Sequence, residues 1–489
     1  MMSKLNQSIA EIVADVQIDA TLIETLVEES KNQIIGQNDL LNPFINVTTT
    51  ELLTAEIKIS QEKTSGLLAG VPVAIKDNIA VENLPLTCAS KMLANFDTPL
   101  YTATVAQKLK DAGSINMGKL NMDEFAMGGS NEYSYFGPVR NPYDTSRVSG
   151  GSSGGSAVAV AAGMVKATLG TDTGGSVRQP ASFTNTVGMK PTYGRISRFG
   201  VTAFASSLDQ VGVITQTVAD NAQVLSAIAG EDPYDTTTST EPVPNYHEHL
   251  ECSMVGKKIA VAEEFLSADV DTDVRETILA AIEVYKELGA TVEMVTLPHL
   301  KYCVPAYYII APSEASSNLA RFDGIHYGYR SPNATNLEEI YLKSRAEGFG
   351  DEVKRRLVMG TYFLNHDAYD AYYIQAAKLR TLIHGDFYKI FADFDIILGP
   401  TYPTPAFKIG ANADPVKEYL ADIFTVPANL IGVPAISVPA GFSKENLPIG
   451  MQLIGPAFSE QVLYQFAYAF EQKTKYYEKT PTVVNGGAK

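Results

Sequence analysis

The chain has 489 residues, 45% of them hydrophobic and 19% charged, a composition that fits a soluble globular protein and excludes a disordered or membrane-embedded one. Its 38 Lys and Arg against 55 Asp and Glu leave a formal net charge of -17. That argues against this chain gripping nucleic acid alone, because phosphate binding needs clustered cations, so a nucleic-acid role would run through a partner. The three cysteines, Cys88, Cys252 and Cys303, are scattered and lack metal-site spacing, which fits a reducing cytoplasm. No signal-peptide core or membrane-length apolar run occurs, and the expectation is a cytoplasmic protein that makes no membrane contact.

In chain order, Ile9, Ile12, Val13 and Val16, then Leu22, Ile23, Leu26 and Val27, recur at helical spacing and predict two amphipathic helices in the first 30 residues or so. Residues 1–60 read as a helical segment packed on a single α/β domain covering 61–489, with a surface connection near 231–245. Val73 to Ile75 predict a short strand ending at Lys76. A helix is expected over Thr104–Ala112, a strand near Ser114–Met117, and loops at Met122–Ser130 and Ser206–Gly212. Further on, helices are expected over Val218–Ala229 and Thr272–Leu288, and strands over Lys258–Val261, Thr291–Val295 and Phe394–Leu398, the last ended by Gly399-Pro400. Helices alternating with short apolar strands predict an α/β fold whose mixed central sheet is covered by helices on both faces.

Two Gly/Ser knots stand at the centre of this pattern: Gly150-Gly151-Ser152-Ser153-Gly154-Gly155-Ser156, and Gly174-Gly175-Ser176 entered through Thr171-Asp172-Thr173. Composition alone would suit a flexible linker, but the run between them is too apolar for a solvated tether. It predicts a buried helix over Ser156–Met164 and a strand near Ala167–Leu169. Glycine lets main-chain N–H groups converge on one atom, and serine is the only nucleophile in either knot. The first knot matches G-x-S-x-G twice, at Ser152 and at Ser153. A hydrolase elbow also needs an apolar strand directly before it, whereas Asn141–Ser149 is polar and turn-like. There is no phosphate-binding loop and no metal-site signature.

All six histidines lie beyond residue 246, so a base must be sought elsewhere. An isolated Lys76 could simply snorkel to the surface. Placed at the end of a buried strand, it becomes the leading base candidate, since desolvation disfavours its charged form.

Lys76 in VAIKDNI, Ser152 in GGSSGGS and Ser176 in GTDTGGSVRQP together resemble the Ser-Ser-Lys pattern of the amidase signature family. The segments Lys190–Gly200, Phe204–Gly212, Ser313–Arg330 and Glu347–Arg356 extend the resemblance to the tRNA-dependent amidotransferase branch of that family. The resemblance implies a glutaminase whose nucleophile is Ser176, with Ser152 in a cis peptide relaying a proton to Lys76. It further implies an oxyanion hole from the N–H groups of Thr173, Gly174, Gly175 and Ser176. Glutamine would be held by Arg356 on its α-carboxylate and Asp422 on its α-ammonium, with Tyr307, Gly128 and Gly129 alongside. Read on their own, Arg356 and Asp422 pass for surface charges.

The resemblance also implies a heterotrimer in which a tRNA-binding kinase/transamidase subunit, using ATP and Mg, and a small third subunit work with this chain. The chain itself would carry no cofactor or metal, would meet tRNA only through the complex, and would serve conversion of Glu-tRNA(Gln), or of Asp-tRNA(Asn). Two other readings stay open: a stand-alone amidase acting on other small amides, and a non-catalytic scaffold.

Overall fold

The structure is a computed structural model that describes residues 4–96, 98–250, 253–411 and 415–481. Cys252 lies outside the described residues, while Cys88 and Cys303 are buried free thiols. The strands are β1 (Phe44–Val47), β2 (Pro72–Lys76), β3 (Ile115–Leu120), β4 (Arg140–Asn141), β5 (Asp144–Val148), β6 (Ala167–Asp172), β7 (Val187–Lys190), β8 (Gln210–Thr215), β9 (Lys258–Ala262), β10 (Thr291–Val295), β11 (Ile396–Pro400), β12 (Ala435–Phe442) and β13 (Pro448–Ile454).

All but β4 and β5 join one mixed sheet in the order β1-β3-β2-β6-β8-β7-β12-β13-β11-β9-β10. Chain order divides this sheet cleanly. The strands up to residue 215 form one half and those from 258 onward the other, and the antiparallel pairing of β7 with β12, with Met189 opposite Ile436, joins them.

Side chains alternate across the strands, so each face must be covered. In β9, Ile259 and Val261 enter one apolar cluster, together with the helices Val218–Ile228 and Glu460–Thr474. Ala260 and Ala262 enter a second cluster with the helices Cys303–Asn318 and Tyr373–Phe391. The expected mixed sheet with helices on both faces is what the chain forms. No helix among the described residues is long and apolar enough to cross a membrane.

Several local boundaries differ from the sequence expectation. The second helix continues to Leu41, and the segment read as helical then adds edge strand β1, which pairs antiparallel with β3. The helix of the first knot spans Gly154–Ala161, ending before Gly163, whose φ of +67° leaves the helical region. The expected loop at Ser206–Gly212 gives way at Gln210 to β8, where Gln210 pairs with Asp172.

The strand expected at Phe394–Leu398 is shifted to Ile396–Pro400, because Gly399 and Pro400 stay in register with Gln452 and Met451 of β13. The polar stretch before the first knot does contain a strand, β5, but it lies outside the main sheet, paired with β4 in a two-stranded ribbon and bridged at Arg147 to Lys408.

Candidate active site

Strand β2 delivers Lys76 to the interior. Its ammonium is fully buried and lies 2.8 Å from Ser152 Oγ, 2.8 Å from Ser153 Oγ and 3.3 Å from the Thr171 carbonyl. Desolvation lowers its pKa from the ordinary lysine value to about 7, against the opposing pull of Asp123, Asp172 and Asp209. Lys76 is therefore a base that can be neutral near physiological pH.

The two knots meet through the main chain. Ser153 N–H donates to the Ser176 carbonyl at 3.1 Å, and the Gly151–Ser152 peptide is cis. Glycine is required at 151 because a Cβ there would lie 1.9 Å from Asp123 Oδ2. Gln179, which the sequence did not single out, ties the loops together: its Oε1 accepts from Gly151 N–H at 2.8 Å, and its Nε2 donates to the Gly129 carbonyl at 2.7 Å. Ser153, named from sequence only as an alternative G-x-S-x-G serine, proves to be a Lys76 partner as close as Ser152. Its adjacency to Ser152 in the G-x-S-x-G overlap was the available signal.

The second knot is wrapped around Asp172. Its Oδ1 accepts from Gly175 N–H at 2.9 Å and its Oδ2 from Val177 N–H at 3.2 Å. Arg178 grips both oxygens at 3.0 Å, a paired geometry that suits a guanidinium. Burial opposes ionisation of Asp172, yet the Arg178 charge outweighs it and holds the carboxyl well below the usual range.

The bond from Gly175 means its N–H is already committed. Among the described residues, the N–H groups of Thr173, Gly174 and Ser176 donate to no protein acceptor. Thr173 Oγ1 is anchored on Asp209 at 2.7 Å, and Thr425 Oγ1 donates to the Gly174 carbonyl at 2.6 Å. A Cβ on Gly174 would come within 2.7 Å of the Tyr307 ring, which places Tyr307 directly against this loop. Ser176 retains 9% exposure at its edge.

Arg356 and Asp422 come from the second half of the chain. Arg356, on the helix Asp351–Phe363, is 4% exposed. Its guanidinium lies over the rings of Tyr308, Tyr419 and Phe204 at 5.4, 5.4 and 5.8 Å. Asp422 is partly exposed and accepts from Tyr308 Oη at 2.8 Å. Desolvation, aided by nearby Glu418 and opposed by the Tyr308 bond and Arg356, pushes its pKa up to about 7.

Tyr307 packs edge-on to Tyr308 at 5.0 Å, which links the loop of Ser176 to this charged pair. Gly129 lies behind the first knot, its N–H donating to Glu418 Oε1 at 2.8 Å and its carbonyl accepting from Gly151 at 3.1 Å. Gly128 packs on the Asp123 carboxyl and the Tyr133 ring.

The chain is similar to known proteins along nearly its whole length. The family described as Amidase matches residues 25–464. The chain is 52% identical over 490 residues to one of the glutamyl-tRNA(Gln) amidotransferase A subunits, that of Oceanobacillus iheyensis, covering 100% of both chains. It is 55% identical over 461 residues to that of Listeria innocua, covering 94% of this chain and 95% of the relative. Among solved structures, the Thermotoga maritima representative of these A subunits superposes with a TM-score of 0.81 at 42% identity, covering 96% of each chain. A bacterial aryl acylamidase of the amidase signature family superposes with a TM-score of 0.85 at 25% identity, covering 99% of each. The chain belongs to the amidase family, in the branch of the glutamyl-tRNA(Gln) amidotransferase A subunits.

Proposed function

We propose that this chain hydrolyses the side-chain amide of glutamine through Lys76, Ser152 and Ser176 and passes the ammonia to a partner that amidates Glu-tRNA(Gln). The observation that carries the reading is the buried Lys76 ammonium 2.8 Å from Ser152 Oγ, in a chain that resembles glutamyl-tRNA(Gln) amidotransferase A subunits along its whole length.

In this reading Ser176 Oγ attacks the amide carbonyl carbon while its proton passes through the Ser152 hydroxyl to neutral Lys76 Nζ. The oxyanion is received by the N–H groups of Thr173, Gly174 and Ser176. Gly175 instead shapes the loop, because its N–H is spent on Asp172. Collapse breaks the C–N bond, the proton returns by the same relay, and ammonia leaves. Water then cleaves the γ-glutamyl ester, releasing glutamate and restoring Ser176.

Arg356 takes the substrate α-carboxylate, for which a guanidinium fork is better matched than a lysine. Asp422 takes the α-ammonium, which brings its carboxyl back toward the ionised form. Tyr307 closes the wall between this clamp and the nucleophile.

Membership of a multi-subunit tRNA amidotransferase follows from the family. We assign the finer composition as a heterotrimer in the cytoplasm, with ATP and Mg used by a kinase/transamidase subunit that also holds the tRNA. The test is reconstitution of the complex followed by assays of glutamine against propionamide and of Glu-tRNA(Gln) amidation. A strong preference for glutamine together with glutamine-dependent amidation supports the reading. Equal turnover of both amides without amidation would favour a stand-alone amidase.

A further inference from the structure

We infer that Glu352 is a positioning residue that sets both halves of the glutamine clamp at once, an inference that rests on the assignment of Arg356 and Asp422 to the substrate. Glu352 lies one helical turn before Arg356 and is only 3% exposed. Its Oε1 accepts from Arg356 Nε at 2.8 Å and from Tyr419 Oη at 2.6 Å. Its Oε2 accepts from Arg355.

The choice of Arg356 atom matters. A guanidinium among aromatic faces is held at its plane but is still free to turn within that plane. The bond at Nε fixes one edge. Among the described residues neither terminal nitrogen of Arg356 donates to a protein acceptor, so the opposite edge, with its two parallel N–H bonds, is left for a carboxylate. A buried carboxylate that only neutralised Arg356 could equally have taken that terminal edge and blocked it.

The Tyr419 bond carries the same anchor to the other half of the clamp. Tyr419 sits on the helix Pro415–Ala421, immediately before Asp422 in the chain. It stacks on Tyr308 at 4.1 Å, and Tyr308 donates to Asp422 Oδ2 at 2.8 Å. One carboxylate thus couples the helix bearing Arg356 to the segment bearing Asp422. The distance between the two charges, and hence discrimination for a ligand carrying both an α-carboxylate and an α-ammonium, is set through Glu352.

The experiment compares Glu352→Ala, Glu352→Gln and Arg356→Lys in the full chain assembled with its partner subunits, with thermal unfolding recorded for each. Two readouts are taken: KM and kcat for glutamine, and the rate at which a small neutral sulfonyl fluoride labels Ser176, which needs the triad and no clamp. For Glu352→Ala the expected result is a rise of tenfold or more in KM for glutamine, with kcat and the labelling rate within about threefold of wild type. Glu352→Gln keeps an acceptor for both Nε and Tyr419 and is expected to recover part of the KM. An unchanged KM in Glu352→Ala, or an equal loss of glutamine turnover and labelling in both Glu352 variants, overturns the inference. If Arg356→Lys leaves KM unchanged, the clamp assignment itself fails. A raised KM in Arg356→Lys beside an unchanged KM in Glu352→Ala confines the failure to Glu352.

Discussion

Lys76 illustrates how burial converts an ordinary side chain into a reagent. Removing its ammonium from water costs more than the surrounding carboxylates return, so its pKa falls to about 7, where half the molecules carry a free amine. In the proposed relay Lys76 acts as the neutral amine, so the rate of Ser176 labelling by a neutral sulfonyl fluoride should rise with pH through about 7. The same limb should be absent from Lys76→Ala, which should also label far more slowly. The neutral probe is chosen because Asp422 also titrates at about 7 and would add its own rising limb to glutamine kinetics. A labelling rate flat from about pH 6 to pH 8 would remove Lys76 from the relay.

At this scale the sequence was informative wherever chemistry forces an unusual residue choice. The glycines around Ser152 and Ser176 stood out because the packing tolerates no Cβ there. Glu352 and Gln179 did not, because a Glu beside Arg355 and Arg356, or a Gln after an Arg, reads as an ordinary solvated polar residue. Their roles come from partners 67 and 28 residues away in sequence.

The loop between β6 and the short helix Arg178–Phe183 is the element on which the site depends. It is shaped less by its glycines than by Asp172, which receives two loop N–H groups and the Arg178 fork and is itself clasped by Asn429 Nδ2 at 2.9 Å. Asp172→Asn keeps the shape but removes the charge, leaving a fully buried guanidinium uncompensated. Loss of one partner of a buried pair costs about 3–5 kcal/mol. The expected outcome is a clear drop in the urea midpoint, and in residual glutaminase activity well beyond that explained by the unfolded fraction. A variant with wild-type midpoint and rate would show that the loop holds its form without this pair.

Strands with short apolar runs, such as β2 and β9, could be placed from sequence to within a few residues. β8 began inside a stretch read as loop, and β11 was placed two residues early, since partners in distant strands decide where pairing starts and stops.

Across the whole molecule the sheet explains why the site draws on residues so far apart. The first half, up to β8, carries Lys76, Ser152 and Ser176, and the second half brings Arg356 and Asp422 on the connections around β11. The β7–β12 seam sets one against the other. Alternation of helices and strands made the fold class legible, but not this seam, because it pairs segments about 250 residues apart and no local pattern encodes it.

The charge of -17 bears on partnership at the same scale. The isolated chain should not retain tRNA in filter binding at physiological salt, whereas the assembled complex should, with affinity falling as salt rises. Tight, salt-dependent retention by the isolated chain would contradict the division of labour.

The central claim is that glutamine is hydrolysed through an ester on Ser176. The most direct measurement is to quench the complex with acid during turnover of isotopically labelled glutamine and to map the adduct by peptide mass spectrometry. The account predicts a γ-glutamyl group on the peptide carrying Ser176 and none in Ser176→Ala, which should also lose glutaminase activity. An adduct on Ser152 or Ser153, or undiminished turnover in Ser176→Ala, would contradict it.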